Sequence, residues 1–298
     1  MTATRSTDWN FDPKVWHDHV DAYFRDKLVF GALADIDDTL KSEPGETINF
    51  PYFKSIGDVE EPTEDESLTV DKLEDDSFSA TVKEVGKAIG FKDKAIYSSA
   101  ARRDRNFSEA QRQMGRKFAE KMDDDLITEI NTSGNYVDGF VGTANTDVCN
   151  VFNVNTAKYT SFGDRQSEAI AIYCHSLHIL SLLNDSTSGF LKADATDPLW
   201  GQSGFAGRLL GLAVFESDKC PRGADLGGKK AYYSFICKPQ PYGIITKQEI
   251  MFDTDRDILA REDVIAATQW YAVKAFHAKV ATDDLRISRS LYATTVSA

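Results

Sequence analysis

The sequence predicts an α+β fold built around one long helix and one long, polar hairpin. Apolar residues recur at every fourth position from Ala110 to Ile130, as they do along one face of a helix. By contrast, Ile48, Phe50 and Tyr52 alternate with polar residues, as in a half-buried strand. Further runs rich in β-branched and aromatic residues follow in the second half of the chain and predict more strands.

Composition is that of a folded soluble protein. The 298 residues are 42% hydrophobic and 27% charged. No stretch approaches the roughly 20 apolar residues of a membrane helix, so we expect no membrane association. The N-terminus lacks the apolar core of a secretory signal, so we expect the protein to be made in the cytoplasm. The net charge of −13 leaves few unpaired cations for a phosphate backbone, which argues against nucleic-acid binding.

Metal and cofactor sites are not predicted. The cysteines lie far apart without metal-ligand spacing, so we expect four buried thiols in a reducing compartment. Two of the histidines are two residues apart on the predicted N-terminal helix and so point to different faces, and the other two are three apart without a recognisable ligand set around them. We expect all of them to be exposed or hydrogen-bonded within the fold. The residues concerned are Cys149, Cys174, Cys220, Cys237, His17, His19, His175 and His178.

The first third of the chain predicts a helix and then a hairpin. Residues 13–33 have helical periodicity, and Glu43-Pro44-Gly45 interrupts it. Two strand-like runs, near 48–52 and 78–91, flank an acidic stretch at 58–76, which predicts a long hairpin with a solvated tip. Since an isolated hairpin is marginally stable in water, a neighbouring subunit is the natural surface for it to lie on.

A long helix is predicted from Ser108 to about Thr132. Ser108 and Gln111 have the spacing of a capping box, and Ser133-Gly134 supplies a stop. At about 1.5 Å per residue the helix is on the order of 35 Å long, which suits a structural strut.

The rest of the chain is predicted to contain both strands and helices. We predict a short apolar strand at 169–173, a helix at 177–183 capped by Ser176, and strands at 207–215, 231–237 and 242–252. Residues 263–277 fit helix or strand, with strand favoured in the second half.

Three segments resemble catalytic or binding motifs. Asp35-Ile-Asp37-Asp38-Thr39 matches the DxDxT signature of haloacid-dehalogenase phosphatases, with Asp35 as nucleophile and Asp37 as general acid/base. The extended region after this motif lacks the alternating strands and helices of that enzyme fold, so we interpret the motif as an exposed acidic turn that closes a helix. Residues 223–229 nearly spell a P-loop, but Lys230 replaces the Ser or Thr. Residues 253–257 resemble the start of an EF-hand loop whose later Gly and Glu are missing.

Taken in order, these elements resemble one family. The resemblance rests on the Gly45-Glu-Thr-Ile-Asn-Phe-Pro51 strand, the long helix, the strand–helix at 170–183, the Gly207–Asp218 stretch and the Ile250–Asp257 strand. The chain looks like the major capsid proteins of tailed bacteriophages, which have the Hong Kong 97 phage fold. The order and spacing of the elements carry the resemblance, from about Val15 to Val280.

The resemblance implies a domain organisation. Residues 1–44 would form the N-arm and 45–97 the extended E-loop. Residues 98–140 and 241–298 would form the P-domain with spine helix 108–132, and 141–240 the A-domain.

The resemblance also implies partners and a role. The chain would be a structural protein rather than an enzyme, with no cofactor, and would assemble with itself into hexamers and pentamers of an icosahedral head. A separate scaffolding protein, a portal and, in some heads, a decoration protein would be its other partners. The acidic wall would enclose double-stranded DNA without sequence-specific binding. An encapsulin-like nanocompartment shell, which shares the fold, is the alternative.

One contact between subunits is predicted from charge. The hairpin tip is acidic and the start of the long helix is basic, so the tip of one subunit is expected to lie on the helix start of its neighbour. The predicted contact residues are Glu60, Glu61, Glu64, Asp65, Glu66, Arg102, Arg103, Arg105, Arg112 and Arg116.

Overall fold

The computed structural model describes most of the chain beyond the N-terminal segment. The described residues are 28–41, 44–54, 59, 61, 70–94, 103–185, 190–193, 197–199, 202, 204–275 and 286–297, without the side chains of 103–106 and 295–297. The predicted N-terminal helix therefore lies outside them except for its end, where Phe30–Leu33 forms a 3-10 turn rather than α-helix.

Thirteen strands and three α-helices are described. The helices are α1 (Arg103–Ile130), α2 (Val151–Phe162) and α3 (Ser176–Asn184). The strands are β1 (Asp35–Asp37), β2 (Thr47–Phe53), β3 (Asp75–Thr81), β4 (Lys83–Lys92), β5 (Val137–Val141), β6 (Ala171–Cys174), β7 (Phe190–Lys192), β8 (Phe205–Leu209), β9 (Leu212–Glu216), β10 (Lys229–Cys237), β11 (Tyr242–Asp257), β12 (Glu262–Ala275) and β13 (Ile287–Ser297).

A four-stranded sheet supports the first half of α1. Its strand order is β1-β11-β12-β4, with β1 parallel to β11 and the other pairs antiparallel. Met114 and Phe118 on α1 pack against Ile250 and Ile265 of the sheet. The predicted apolar stripe from Ala110 to Ile130 is buried along its whole length, as the sequence pattern requires.

A seven-stranded sheet lies under the second half of α1. Its order is β5-β13-β10-β6-β9-β8-β7. One apolar cluster joins side chains of α2 and α3 to strands β6, β8, β9, β10 and β13. A second cluster joins Leu126 and Ile130 of α1 to Tyr173, Phe215 and Phe235 of this sheet. Helix α1 therefore packs against both sheets and connects them, as a strut does.

The hairpin is shorter than its sequence pattern predicts. Strand β2 pairs with β3 over seven residues, from Thr47↔Thr81 to Phe53↔Asp75. The strand is interrupted at the buried Val82, and the next strand, β4, pairs with β12 in the four-stranded sheet instead of continuing the hairpin. The strand-like run at 78–91 therefore divides between two sheets, because its β-branched composition suits a strand but does not specify its partner.

The ends of two helices differ from the predicted caps. Helix α1 begins at Arg103, so Ser108 and Gln111 lie within it and do not form a capping box. The side chain of Phe107 is buried against Phe91 of β4, with ring centroids 5.2 Å apart, and this packing favours helix upstream of Ser108. Likewise His175, not Ser176, caps α3, because its ring accepts the N–H of Leu177 at 3.2 Å.

Two further predictions are corrected by strand pairing. Residues 207–215 form a tight hairpin between β8 and β9 rather than one strand, because Leu210 and Gly211 both have positive φ. Residues 263–275, for which the sequence fitted helix or strand, are strand and belong to β12, whereas 276 and 277 lie outside the described residues. In addition, β13 pairs with β10 and with β5 in the seven-stranded sheet, and the division of the chain into domains stays a prediction.

Candidate subunit interface

The base of the hairpin packs on the four-stranded sheet. Phe50 stacks on Phe78 across the two strands, with ring centroids 5.0 Å apart. Ile48 and Phe50 also pack against a buried cluster that includes Leu40 and Ile245. The base is thereby held at a defined position on its own subunit.

The outer part of the hairpin is apolar as well as acidic. Phe53 and Leu73 are about two thirds exposed, and Val59 and Val70 are almost fully exposed. Lys54 pairs with Glu74 at 3.3 Å, so part of the charge at this end is neutralised within the hairpin. An extended arm with exposed apolar residues at its outer part is suited to covering a neighbouring surface.

The predicted acidic tip lies mainly outside the described residues. Glu60, Glu64, Asp65 and Glu66 are not described, and Glu61 is exposed. The tip therefore stays a prediction.

The basic start of α1 is partly neutralised within the helix. Arg112 pairs with Glu109 at 2.6 Å and Arg116 with Glu120 at 2.9 Å, both one turn away. Arg102 lies outside the described residues, and Arg103 and Arg105 lie in α1 without described side chains. The proposed contact with an acidic tip therefore rests on Arg102, Arg103 and Arg105 more than on the two paired arginines, and it stays a prediction.

Sequence reasoning missed a buried anchor for the segment before β1. Asp123 of α1 accepts the backbone N–H of Val29 at 3.2 Å and that of Phe30 at 3.1 Å. The carbonyl of Phe30 accepts the hydroxyl of Tyr242 at 2.5 Å, and its ring stacks on Tyr173 at 4.4 Å. Burial raises the pKa of Asp123 to about 6 despite these hydrogen bonds. Three consecutive aspartates occur here, and nothing in the sequence distinguishes the buried one.

The DxDxT pattern lies in a setting unlike a phosphatase site. Asp35–Asp37 forms the edge strand β1, parallel to β11, and is not the acidic turn predicted from the sequence. Asp37 accepts the backbone N–H of Thr39 at 2.9 Å, and Asp35 is exposed. The neighbouring strands β11, β12 and β4 are antiparallel, whereas that enzyme fold requires a parallel sheet alternating with helices.

The remaining motifs have structural roles. Gly227 and Gly228 have positive φ and form a turn between Leu226 and Lys229, which pair across it, so the P-loop-like segment is a turn beside β10. His178 is buried and hydrogen-bonded to Ser234 at 2.9 Å. Among the described residues no group of three His, Cys, Asp or Glu side chains could hold a metal ion.

The predicted state of the thiols is confirmed. All four cysteines are buried and free. The described helices include none that is both long and apolar enough to cross a membrane.

The architecture defines a class of protein. Two sheets joined by a long helix, with an extended hairpin projecting from one of them, form the Hong Kong 97-type capsid fold, in agreement with the fold predicted from the sequence. The chain is similar to the solved capsid of Ralstonia phage GP4, with a TM-score of 0.70 and 11% identity over 99% of this chain and 96% of that one. It is also similar to the capsid of cyanophage Pam1, with a TM-score of 0.68 and 14% identity over 99% and 98% of the two chains.

Sequence comparison points to a particular kind of capsid protein. The chain is 26% identical to the major capsid protein of Staphylococcus phage phiMR11 over 226 residues, which are 76% of this chain and 78% of that protein. No family model matches the sequence. The resemblance to tailed-phage major capsid proteins drawn from the order of the sequence elements is confirmed.

Proposed function

We propose that this chain is the major capsid protein of a tailed bacteriophage and that it forms the icosahedral head of the virion. The observation that carries the proposal is the likeness to solved phage capsids over 99% of the chain, together with the curated capsid relative. The role is structural, in line with the class, and the protein acts in the virion.

Capsid proteins assemble with copies of themselves, and the proposal extends to how copies of this chain would do so. Hexamers and pentamers would build the shell around double-stranded DNA, and the charge of −13 would keep the wall from binding its contents. A separate scaffolding protein, a portal and, where the head carries one, a decoration protein would complete it. The hairpin supports this arrangement, because its exposed outer part can cover a neighbouring subunit.

An acidic-to-basic contact between neighbours would guide this assembly. Glu60, Glu61, Glu64, Asp65 and Glu66 of one hairpin would face Arg102, Arg103 and Arg105 of the next subunit. Each exposed ion pair contributes only about 0–1 kcal/mol, but a shell repeats the contact many times. Replacing the three arginines with Glu should impair assembly, and replacing the acidic tip residues with Lys should partly restore it. The double replacement of Arg112 and Arg116, which already pair within α1, is the matched control and should have a smaller effect. Assembly insensitive to both reversals and to salt would refute the contact.

Electron microscopy of the expressed protein tests the proposal as a whole. We expect closed shells or capsomers by negative stain, with or without a scaffolding protein co-expressed. Shells that collect a host enzyme rather than DNA would instead indicate an encapsulin-like compartment. A protein that stays monomeric at high concentration under all these conditions would contradict the proposal.

A further inference from the structure

The segment that precedes β1 is attached to the fold without belonging to either sheet. Residues 28–34 contain the 3-10 turn Phe30–Leu33, and the N-terminus of this turn has no side-chain cap within the segment. The backbone N–H groups of Ala32 and Ala34 donate to carbonyls of the segment itself. The segment can therefore separate from the rest of the fold without breaking a strand pairing.

A buried carboxylate makes the polar contacts that hold this segment to α1. Asp123 is 2% exposed and accepts the backbone N–H of Val29 at 3.2 Å and that of Phe30 at 3.1 Å. Lys219 is the cation that acts on this carboxylate, but its ammonium pairs with Asp124 at 2.8 Å. In the described part of the chain, two N–H groups thus compensate the charge of Asp123 without a direct ion pair. A buried charge in such a setting is unfavourable.

The ionisable groups on the other side of the segment are neutral. Tyr242 donates its hydroxyl to a carbonyl of the segment, and the hydroxyl of Tyr173 lies 3.2 Å from that of Tyr242. Burial raises the pKa of both tyrosines, and it also raises the pKa of the thiols of Cys220 and Cys237 in the same apolar cluster. These groups keep their protons between about pH 4 and pH 7, the range in which the pKa of Asp123, at about 6, lies.

Ionisation of Asp123 favours separation of the segment. Once the segment has separated, water solvates the carboxylate and its pKa returns towards the usual 3.8. The attached state binds the proton more tightly, so separation becomes easier as the pH rises. For pKa values of 3.8 and about 6, the ratio of separated to attached segment rises roughly fiftyfold between pH 4 and pH 7.

We propose that Asp123 and the backbone of Val29 and Phe30 form a latch that opens as the carboxylate loses its proton. Opening frees residues 28–34 from α1 while both sheets stay folded. At acid pH the latch fixes the N-terminal part of the chain to the longest described helix. The inference concerns the subunit by itself, so it goes beyond the proposed function and can fail without affecting it.

Hydrogen exchange of the full-length, unassembled subunit tests the latch. The amides of Val29 and Phe30 donate to Asp123, so their protection reports its opening. After division by the intrinsic exchange rate at each pH, this protection should fall roughly fiftyfold between pH 4 and pH 7. Low concentrations of urea should leave it unchanged, because separation of a short segment exposes little surface. Protection that is independent of pH, or that falls with urea as steeply as that of Phe235 in β10, would overturn the proposal.

Two variants assign the effect to the carboxylate. Asp123→Asn keeps an oxygen that can accept an N–H but has no proton to lose, so the corrected protection of residues 28–34 should be the same at pH 4 and pH 7. The matched control Tyr242→Phe removes the hydroxyl on the other side of the segment. It should lower the protection at both pH values and keep the pH dependence of the wild type. A pH dependence that persists in folded Asp123→Asn, with folding checked by circular dichroism, would refute the role of Asp123. The wild-type measurement decides the proposal even where this variant does not fold.

Discussion

The carboxylate of Asp123, in the second half of the longest described helix, accepts the backbone N–H of Phe30 at 3.1 Å, across 93 residues of sequence. Together with the hydroxyl of Tyr242 on the carbonyl of the same residue, it fixes the segment that enters the fold before β1. This anchor joins the N-terminal segment to both the helix and the four-stranded sheet.

Asp123 should make the subunit less stable as the pH rises. Its pKa of about 6 lies above the usual 3.8, so the folded state binds the proton more tightly than the unfolded state does. Below about pH 3.8 the raised pKa of Asp123 contributes up to about 3 kcal/mol to the free energy of unfolding, and this contribution is lost as the pH rises through 6. In urea unfolding, the Asp123→Asn variant should therefore be less stable than the wild type at pH 5. At pH 8 the difference in stability between the two proteins should be smaller. An Asp123→Asn deficit that stays constant with pH would contradict the assignment.

His178 should have the opposite effect at acid pH. Burial lowers its pKa to about 3, so the folded state disfavours the charged ring. Stability from this group is present above about pH 6.5 and is lost by about 1.4 kcal/mol for each pH unit as the pH falls towards 3. His178→Gln should flatten the acid limb of the stability curve.

Its hydrogen-bond partner provides the control for that experiment. Ser234→Ala removes the 2.9 Å hydrogen bond but leaves the titrating ring in place. This variant should lose stability at every pH and retain the acid slope. If both variants retain the slope, another group controls acid unfolding.

Phe30→Ala should be among the most destabilising single changes in the described residues. The side chain is fully buried and stacks on Tyr173 at 4.4 Å. Removing a buried Phe costs about 3–5 kcal/mol, because the cavity only partly collapses. Chemical denaturation should show this loss, with Phe30→Leu losing less. A loss below about 1 kcal/mol would show that the segment is not anchored.

Leu210→Asn should stabilise the hairpin between β8 and β9. Leu210 has φ of 50° and Gly211 has φ of 83°, which are the values of a two-residue turn that prefers Asn-Gly. Because left-handed backbone is costly for Leu and less so for Asn, we expect a gain of about 1 kcal/mol in the free energy of unfolding. Leu210→Val, with a β-branched side chain at the same position, should lose stability. The reverse order of the two variants would contradict the turn assignment.

The local elements whose hydrophobic pattern fits only one secondary structure follow from the sequence alone. The stripe from Ala110 to Ile130 has a single apolar face, and burying that face requires a helix. Alternation in Ile48, Phe50 and Tyr52 determined a strand with one face on the protein. The order of these elements was enough to indicate a capsid fold.

Which of these elements contact one another depends on interactions between distant parts of the chain. Strand β4 leaves the hairpin for β12, and β13 joins the seven-stranded sheet, because backbone hydrogen bonds form with whichever strand the whole fold brings alongside. The early start of α1 depends on Phe107 packing against Phe91, which lies on a separate strand. Likewise, Asp123 is buried rather than solvated because a distant segment brings two N–H groups to it. The order of charged residues along the chain does not predict this contact.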